Sequence, residues 1–86
     1  MPRFYFHTNN ERDADGIELP SLAVAKCEAV KLAAQVVCEQ AGEFWDEAEW
    51  SMTVTDENDL TMFQLQVIGT EAPAIRASSS RRSASA

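Results

Sequence analysis

The sequence predicts an α+β domain of order ββαββ, a four-stranded, mainly antiparallel sheet with one long helix packed on one face. Three observations carry this. Residues 3–8 and 17–19 alternate apolar and polar side chains around a polar connection, as a hairpin does. Residues 50–55 and 60–68 do so again around the four-residue turn Asp56-Glu57-Asn58-Asp59. Between the two pairs, Leu22 to Ala41 contains no Gly or Pro and is dominated by Ala. Two hairpins with one apolar face each need a covering layer, and the single helix supplies it.

Within the first strand, Phe4 and Phe6 share one face, and Arg3, Tyr5 and His7 share the other. Asp15-Gly16 is a turn signal before Ile17-Glu18-Leu19, and Pro20 ends that strand because it cannot donate to a ladder. Ser21 is suited to cap the helix, accepting a hydrogen bond from its first free N–H groups. Ala23, Cys27, Val30, Ala34, Val37, Ala41 and Phe44 recur at steps of three and four and form the expected core stripe. Leu22, Ala29, Ala33 and Val36 widen it along one flank, while Glu28, Lys31, Gln35 and Glu39 lie opposite. Gly42 is the expected helix-closing residue at positive φ. Glu43 to Glu49 reads as an acidic, aromatic connector. In the second hairpin, Trp50, Met52, Val54, Phe63, Leu65 and Val67 are expected to face inward. Residues 1–70 form the domain, and 71–86, rich in Arg and Ser, reads as a disordered tail.

With 86 residues the chain is too short for a doubly wound nucleotide fold, a barrel or a multi-domain enzyme. No apolar run approaches the ~20 residues of a membrane span, and no signal peptide is expected at the start. Cys27 and Cys38 both fall on the helix, ~16 Å apart at ~1.5 Å per residue, too far for a disulfide. Two unpaired thiols fit a reducing cytoplasm. Residues 1–71 hold all 14 acidic groups and only Arg3, Arg12, Lys26 and Lys31, a balance of −10, whereas 72–86 adds three arginines. That balance argues against a nucleic-acid partner bound through bulk charge. A domain of about 70 residues has a small core, and the helix has more apolar surface than one sheet contact needs. A homodimer burying Val36, Ala29 or the Trp45/Trp50 region would answer both.

A resemblance is carried, in order, by Met1-Pro2-Arg3-Phe4-Tyr5-Phe6-His7, Asp15-Gly16-Ile17-Glu18-Leu19-Pro20, the Ala-rich helix, and Trp50 with Val54-Thr55-Asp56-Glu57. In order and spacing the chain resembles a family of short bacterial proteins described as domain of unknown function 6894, over roughly residues 1–70. The resemblance implies a small α+β cytoplasmic protein and implies no activity. Ser21 stands where that family usually has Asp, which preserves capping. Pro20 and the Ala-rich helix also resemble the antitoxin half of certain toxin–antitoxin pairs, although the second glycine-rich turn of those proteins is missing here.

Several residues invite sharper readings. His7, with Arg3 and Glu18, forms a candidate functional polar cluster. His7 could act as a general base oriented by Asp15 or Glu18, or could be a strand-end histidine bonded to the neighbouring hairpin. Cys27 and Cys38 lack metal-ligand spacing and read as buried small hydrophobes. The acidic runs 13–16 and 56–59 fail the calcium-loop spacing and read as turns. Phe4, Tyr5 and Phe6 read as core rather than as a stacking platform for RNA. Trp45 and Trp50 either anchor the helix-to-sheet corner or, with Val36, form a partner interface. The Arg/Ser tail reads as solvated, with contact to an acidic surface or phosphorylation as alternatives. No catalytic, cofactor-binding or metal-binding residue is assigned. The expected function is a small non-enzymatic interaction or regulatory protein. An acidic antitoxin-like protein that binds a basic toxin or ribonuclease is the alternative, and a small enzyme using His7 is the third reading.

Overall fold

A computed structural model of the chain describes residues 2–9 and 11–74. The elements run β1 (Arg3–Thr8), β2 (Ile17–Glu18), α1 (Leu22–Glu39), α2 (Ala41–Glu47), β3 (Glu49–Thr55) and β4 (Thr61–Ile68). The four strands form one sheet in the order β2-β1-β3-β4, every neighbouring pair antiparallel. The expected α+β architecture of order ββαββ is therefore present, with a second, short helix added. The tail expected at 71–86 lies outside the described residues from position 75 onward.

The registers explain which side chains share a face. Phe6 stands opposite Val54, which stands opposite Phe63, and Met52 stands between Thr8 and Leu65. These rows, with Phe4 and Trp50, point toward the helices; Met52 and Val54 are the largest fully buried side chains. The helix side contributes Ala25, Ala29 and Ala33, all buried, with Leu32, Val36 and Val37 packed partly against them. Phe44 of α2 completes the core. The layers divide the labour: the sheet supplies bulky aromatic and aliphatic side chains, and the helix supplies small ones that let its backbone come close.

That division corrects the expected helix face. Ala23, Cys27, Val30 and Ala34 are exposed, and the flank containing Ala29, Ala33 and Val36 is the one that packs on the sheet. At 3.6 residues per turn the buried stripe is rotated by roughly 120° from the expected one. An Ala-rich helix has two apolar faces of similar strength, and the shape of the sheet rather than hydrophobicity selects between them. Cys27 and Cys38 follow the rotation: both are free and exposed, not buried.

Ser21 caps α1 as expected, its hydroxyl accepting from Val24 N at 3.2 Å. The helix ends two residues early, at Glu39, and Gly42 lies inside α2 instead of closing α1. The cap is Gln40, at φ −114°, whose N–H still donates to Val36 O while its carbonyl accepts from Phe44 N. Both groups are thereby satisfied across the bend, so no left-handed residue is needed there. The expected connector is α2, and the left-handed position falls at its end, on Ala48 (φ 61°). The second hairpin turns as the sequence implies. Asp56 Oδ1 accepts from Asn58 N and Leu60 N at 2.8 and 3.0 Å, the bonds of a side-chain-closed turn.

Candidate functional site

On the sheet face away from the helices, the registers align Tyr5 with Thr55, and His7 with Thr53. Strand β2 pairs only with Arg3 and Phe4, so the outer edge of β1 beyond that point needs other partners. The connection between β1 and β2 supplies them. Asp13 Oδ2 accepts from Phe6 N, and Asp13 Oδ1 accepts from Asp15 N and Gly16 N, all at 3.1 Å. One carboxylate thus does the work of a missing stretch of strand.

The same residue fixes His7. Asp13 N donates to His7 Nδ1 at 3.0 Å, and His7 Nε2 lies 3.0 Å from Thr55 Oγ1. Because a backbone N–H points at Nδ1, the neutral ring carries its proton on Nε2 and donates it to the Thr55 hydroxyl. Tyr5 stacks nearly parallel to the imidazole, with ring centroids 6.4 Å apart. His7 and Thr55 are both buried. A β-bulge between Val54 and Thr55 falls at the residue that meets the ring. Around the cluster, Arg12, Asp56, Glu57 and Asp59 line a shallow depression of ≈ 180 Å³. Arg12 pairs with Asp59 at 3.4 Å, well out in solvent.

Burial raises the Asp13 carboxyl, but the N–H groups of Gly16, Phe6 and Asp15, with the nearby His7, outweigh it and hold Asp13 below its ordinary value. The turn itself requires glycine. Gly16 has φ +71°, and a Cβ there would lie 2.9 Å from Arg3 Cγ and Tyr5 Cε2 and 3.0 Å from Phe4 O. Arg3 pairs with Glu18 at 3.2 Å and donates to Asp15 O at 2.8 Å. Leu19 N closes the hairpin on Pro2 O.

The predicted cluster of Arg3, His7 and Glu18 therefore divides in two. Arg3 and Glu18 bind each other at the β1–β2 edge, whereas His7 is held by Asp13 and Thr55. Neither Asp15 nor Glu18 orients the imidazole. Sequence reasoning missed Asp13 and Thr55. The signal for Asp13 was its place three residues before a glycine, where a carboxylate closes a turn over its own backbone. The signal for Thr55 was period two along β3, which sets it on the face opposite Val54, and the register with β1 brings that face to His7.

The predicted interface residues also separate. Trp50 is buried in the core, and Val36 is half-buried against it. Trp45 is half exposed, its ring edge-on to Phe44 and lying over Gly69, where an added Cβ would come within 2.6 Å of it. It holds the end of β4 against α2, the anchoring role. Among the described residues no group of three His, Cys, Asp or Glu side chains is placed to hold a metal ion, and no helix is long and apolar enough to cross a membrane.

Fold and cluster together define a small α+β domain in which the β1–β2 connection is locked over a buried histidine. Residues 3–69 match the family model described as Domain of unknown function (DUF6894), and the chain belongs to that family. No curated protein and no solved structure shows significant similarity to it.

Proposed function

We propose that this domain is a non-enzymatic interaction or regulatory module of the cytoplasm, working through its surface rather than through a reactive centre. The observation that carries this is the commitment of His7. A general base needs a free lone pair, and here the Nδ1 lone pair receives Asp13 N–H while Nε2 serves Thr55. The two thiols stand on α1, across the sheet from that ring. The motifs Arg3 to His7, Asp15 to Pro20 and Val54 to Glu57 meet, through Asp13, in one hydrogen-bonded lock, which supports a structural role for them. The surface offers contacts with a protein partner or a second copy: Val30, Trp45, Leu60 and Ile68 are large apolar side chains in solvent. The test is affinity capture from the native host with the full chain as bait. Stoichiometric recovery of one defined protein, or of the chain itself from a differently tagged copy, is expected. Recovery of neither, together with turnover abolished in a folded His7→Gln variant, would replace this reading with the enzymatic one.

A second reading has its own observation. Glu43, Asp46, Glu47 and Glu49 are all exposed at the α2 end and border one depression of ≈ 210 Å³ with Asn9 and Gln40. Such a rim suits a basic protein, as an antitoxin-like partner of a basic toxin or ribonuclease would require. Binding that weakens steeply with salt and is lost in Glu43→Lys/Glu47→Lys supports it; salt-independent binding counts against it.

A further inference from the structure

The rotation of α1 leaves an apolar wall on one side of the molecule. Helix α1 packs chiefly across β3, so the inner face of β4 is only partly covered and Phe63, Leu65 and Val67 remain half-buried. Val30, Ala34 and Val37 of α1 border the same trough, which comprises adjoining depressions of ≈ 320 and ≈ 250 Å³. Val30 is 57% exposed. Beside the trough runs the outer edge of β4, with which no described strand pairs.

Natural edge strands are usually short, charged or interrupted by proline, because an open ladder recruits other strands. β4 has none of these three protections, and its one irregularity, Met62 left without a partner between Thr61 and Phe63, lies at its start. It is the longest strand, with 8 residues, and its sequence Thr-Met-Phe-Gln-Leu-Gln-Val-Ile contains no charge and no proline. This holds although residues 1–71 carry 14 acidic groups. An uncharged edge is where two copies of an acidic chain meet with the least repulsion.

We infer that the β4 edge is the interface for a second copy of this chain, joining two sheets into one of eight strands with the α1 helices on the same side. The strand is self-complementary about Leu65. Antiparallel pairing centred there sets Leu65 opposite its symmetry mate, Phe63 opposite Val67, and Gln64 opposite Gln66. Apolar residues then meet apolar ones on the helix face, and amides meet amides on the other. Val30 and Ala34 of the two α1 helices close over the inner row. An eight-residue strand is ~27 Å long, and a sheet layer plus a helix layer is ~20 Å deep. The wall thus offers roughly 540 Å² per copy, or roughly 1,100 Å² for the pair, just above the floor for a specific interface. A concentration-dependent dimer follows. Residues 75–86 are the other local candidate to cover the wall, but their sequence holds one large apolar residue, Ile75, against six apolar side chains to be covered.

This deepens the interaction reading by naming a partner, and its test uses the purified full chain, so the two stand or fall on separate results. Analytical ultracentrifugation over about 1–200 μM is expected to show a monomer–dimer equilibrium. Gln64→Lys/Gln66→Lys places two like-charged pairs across the proposed dyad and is expected to give a monomer with an unchanged circular-dichroism spectrum. Gln64→Glu/Gln66→Glu is likewise expected to be monomeric, and mixing the two variants is expected to restore a dimer. A wild-type monomer at the highest concentration overturns the inference. If the β4 amides that point away from β3 are protected from hydrogen exchange in that monomer, the result assigns the wall to residues 75–86. A dimer that survives in the lysine variant, or a mixture that fails to associate, equally overturns it.

Discussion

Replacing Asp13 by alanine removes the acceptor of three backbone N–H groups at once. Two of them, Phe6 N and Gly16 N, are part-buried, and Asp15 N is exposed. A bond to a charged acceptor contributes ~1.5–3 kcal/mol, and water replaces most of an exposed one. Taking the two part-buried bonds at the low end and allowing for solvent at Asp13 gives a loss of about 2–3 kcal/mol. For a domain of this size that corresponds to roughly 10–20 °C in Tm. Asparagine retains one acceptor oxygen, but its NH₂ must face at least one of the same donors, so Asp13→Asn is expected to lose about 1–2 kcal/mol. The exposed Asp15→Asn, which removes the same charge two residues away, should change stability by less than about 0.5 kcal/mol. Urea unfolding followed by tryptophan fluorescence measures all three. The pH dependence adds a second criterion. Because the folded state holds the Asp13 pKa below its unfolded value, its contribution is complete above about pH 3.9 and is lost as pH falls through the lower, folded value. The stability gap between wild type and Asp13→Asn should therefore narrow in acid. An Asp13→Ala protein within about 0.5 kcal/mol of wild type, or a gap unchanged in acid, would refute the reasoning.

Other substitutions test the packing. Ala29 has no exposed surface against the sheet, so Ala29→Leu should cost about 1–3 kcal/mol through overpacking, whereas Val30→Leu on the outer face should be near neutral in thermal melts. Ala48→Gly relieves a left-handed residue and should stabilise by about 0.5–1 kcal/mol in urea titrations; Gly16→Ala, at φ +71° against Arg3, Tyr5 and Phe4 O, should destabilise by at least about 2 kcal/mol. Both thiols should react with a thiol reagent such as DTNB in the native protein at rates close to those in denaturant, because Cys27 and Cys38 are exposed; protection of either would contradict the orientation of α1.

Most of the fold was legible because strands announce themselves by period two. β1 spans the six residues at which its alternation starts and stops, and the inward set Trp50, Met52 and Val54 is buried as its spacing implies. The absence of Gly and Pro located α1, and Ser21 placed its start. The helix face was not legible, since Ala25, Ala29 and Ala33 are no more hydrophobic than Ala23 or Ala34. Only the bulk of Phe4, Phe6 and Trp50 across the gap decides which alanines fit. Gly42 misled because glycine marks a helix end only where a left-handed residue is required, and the bend at Gln40 requires none. The candidate site was half legible. Alternation put His7 on a face with Arg3 and Tyr5, but the reach of Asp13 back to Phe6 N depends on the path of an irregular connection. No periodicity describes such a path.

The strand order has a consequence for how the chain acquires its structure. β1, the earliest of the four described strands in chain order, lies between β2 and β3, and its main partner is β3, more than forty residues downstream. Closing that loop costs entropy that the local β3–β4 hairpin, turning within a few residues, does not incur. The hairpin is therefore the natural early structure, with β1 inserting along it later. During synthesis, Phe4, Tyr5 and Phe6 leave the ribosome long before any strand exists to receive them, supported only by the two-residue pairing with β2. The nascent chain is consequently most exposed to aggregation before Thr55 has emerged, and slowing translation upstream of that point prolongs the risk.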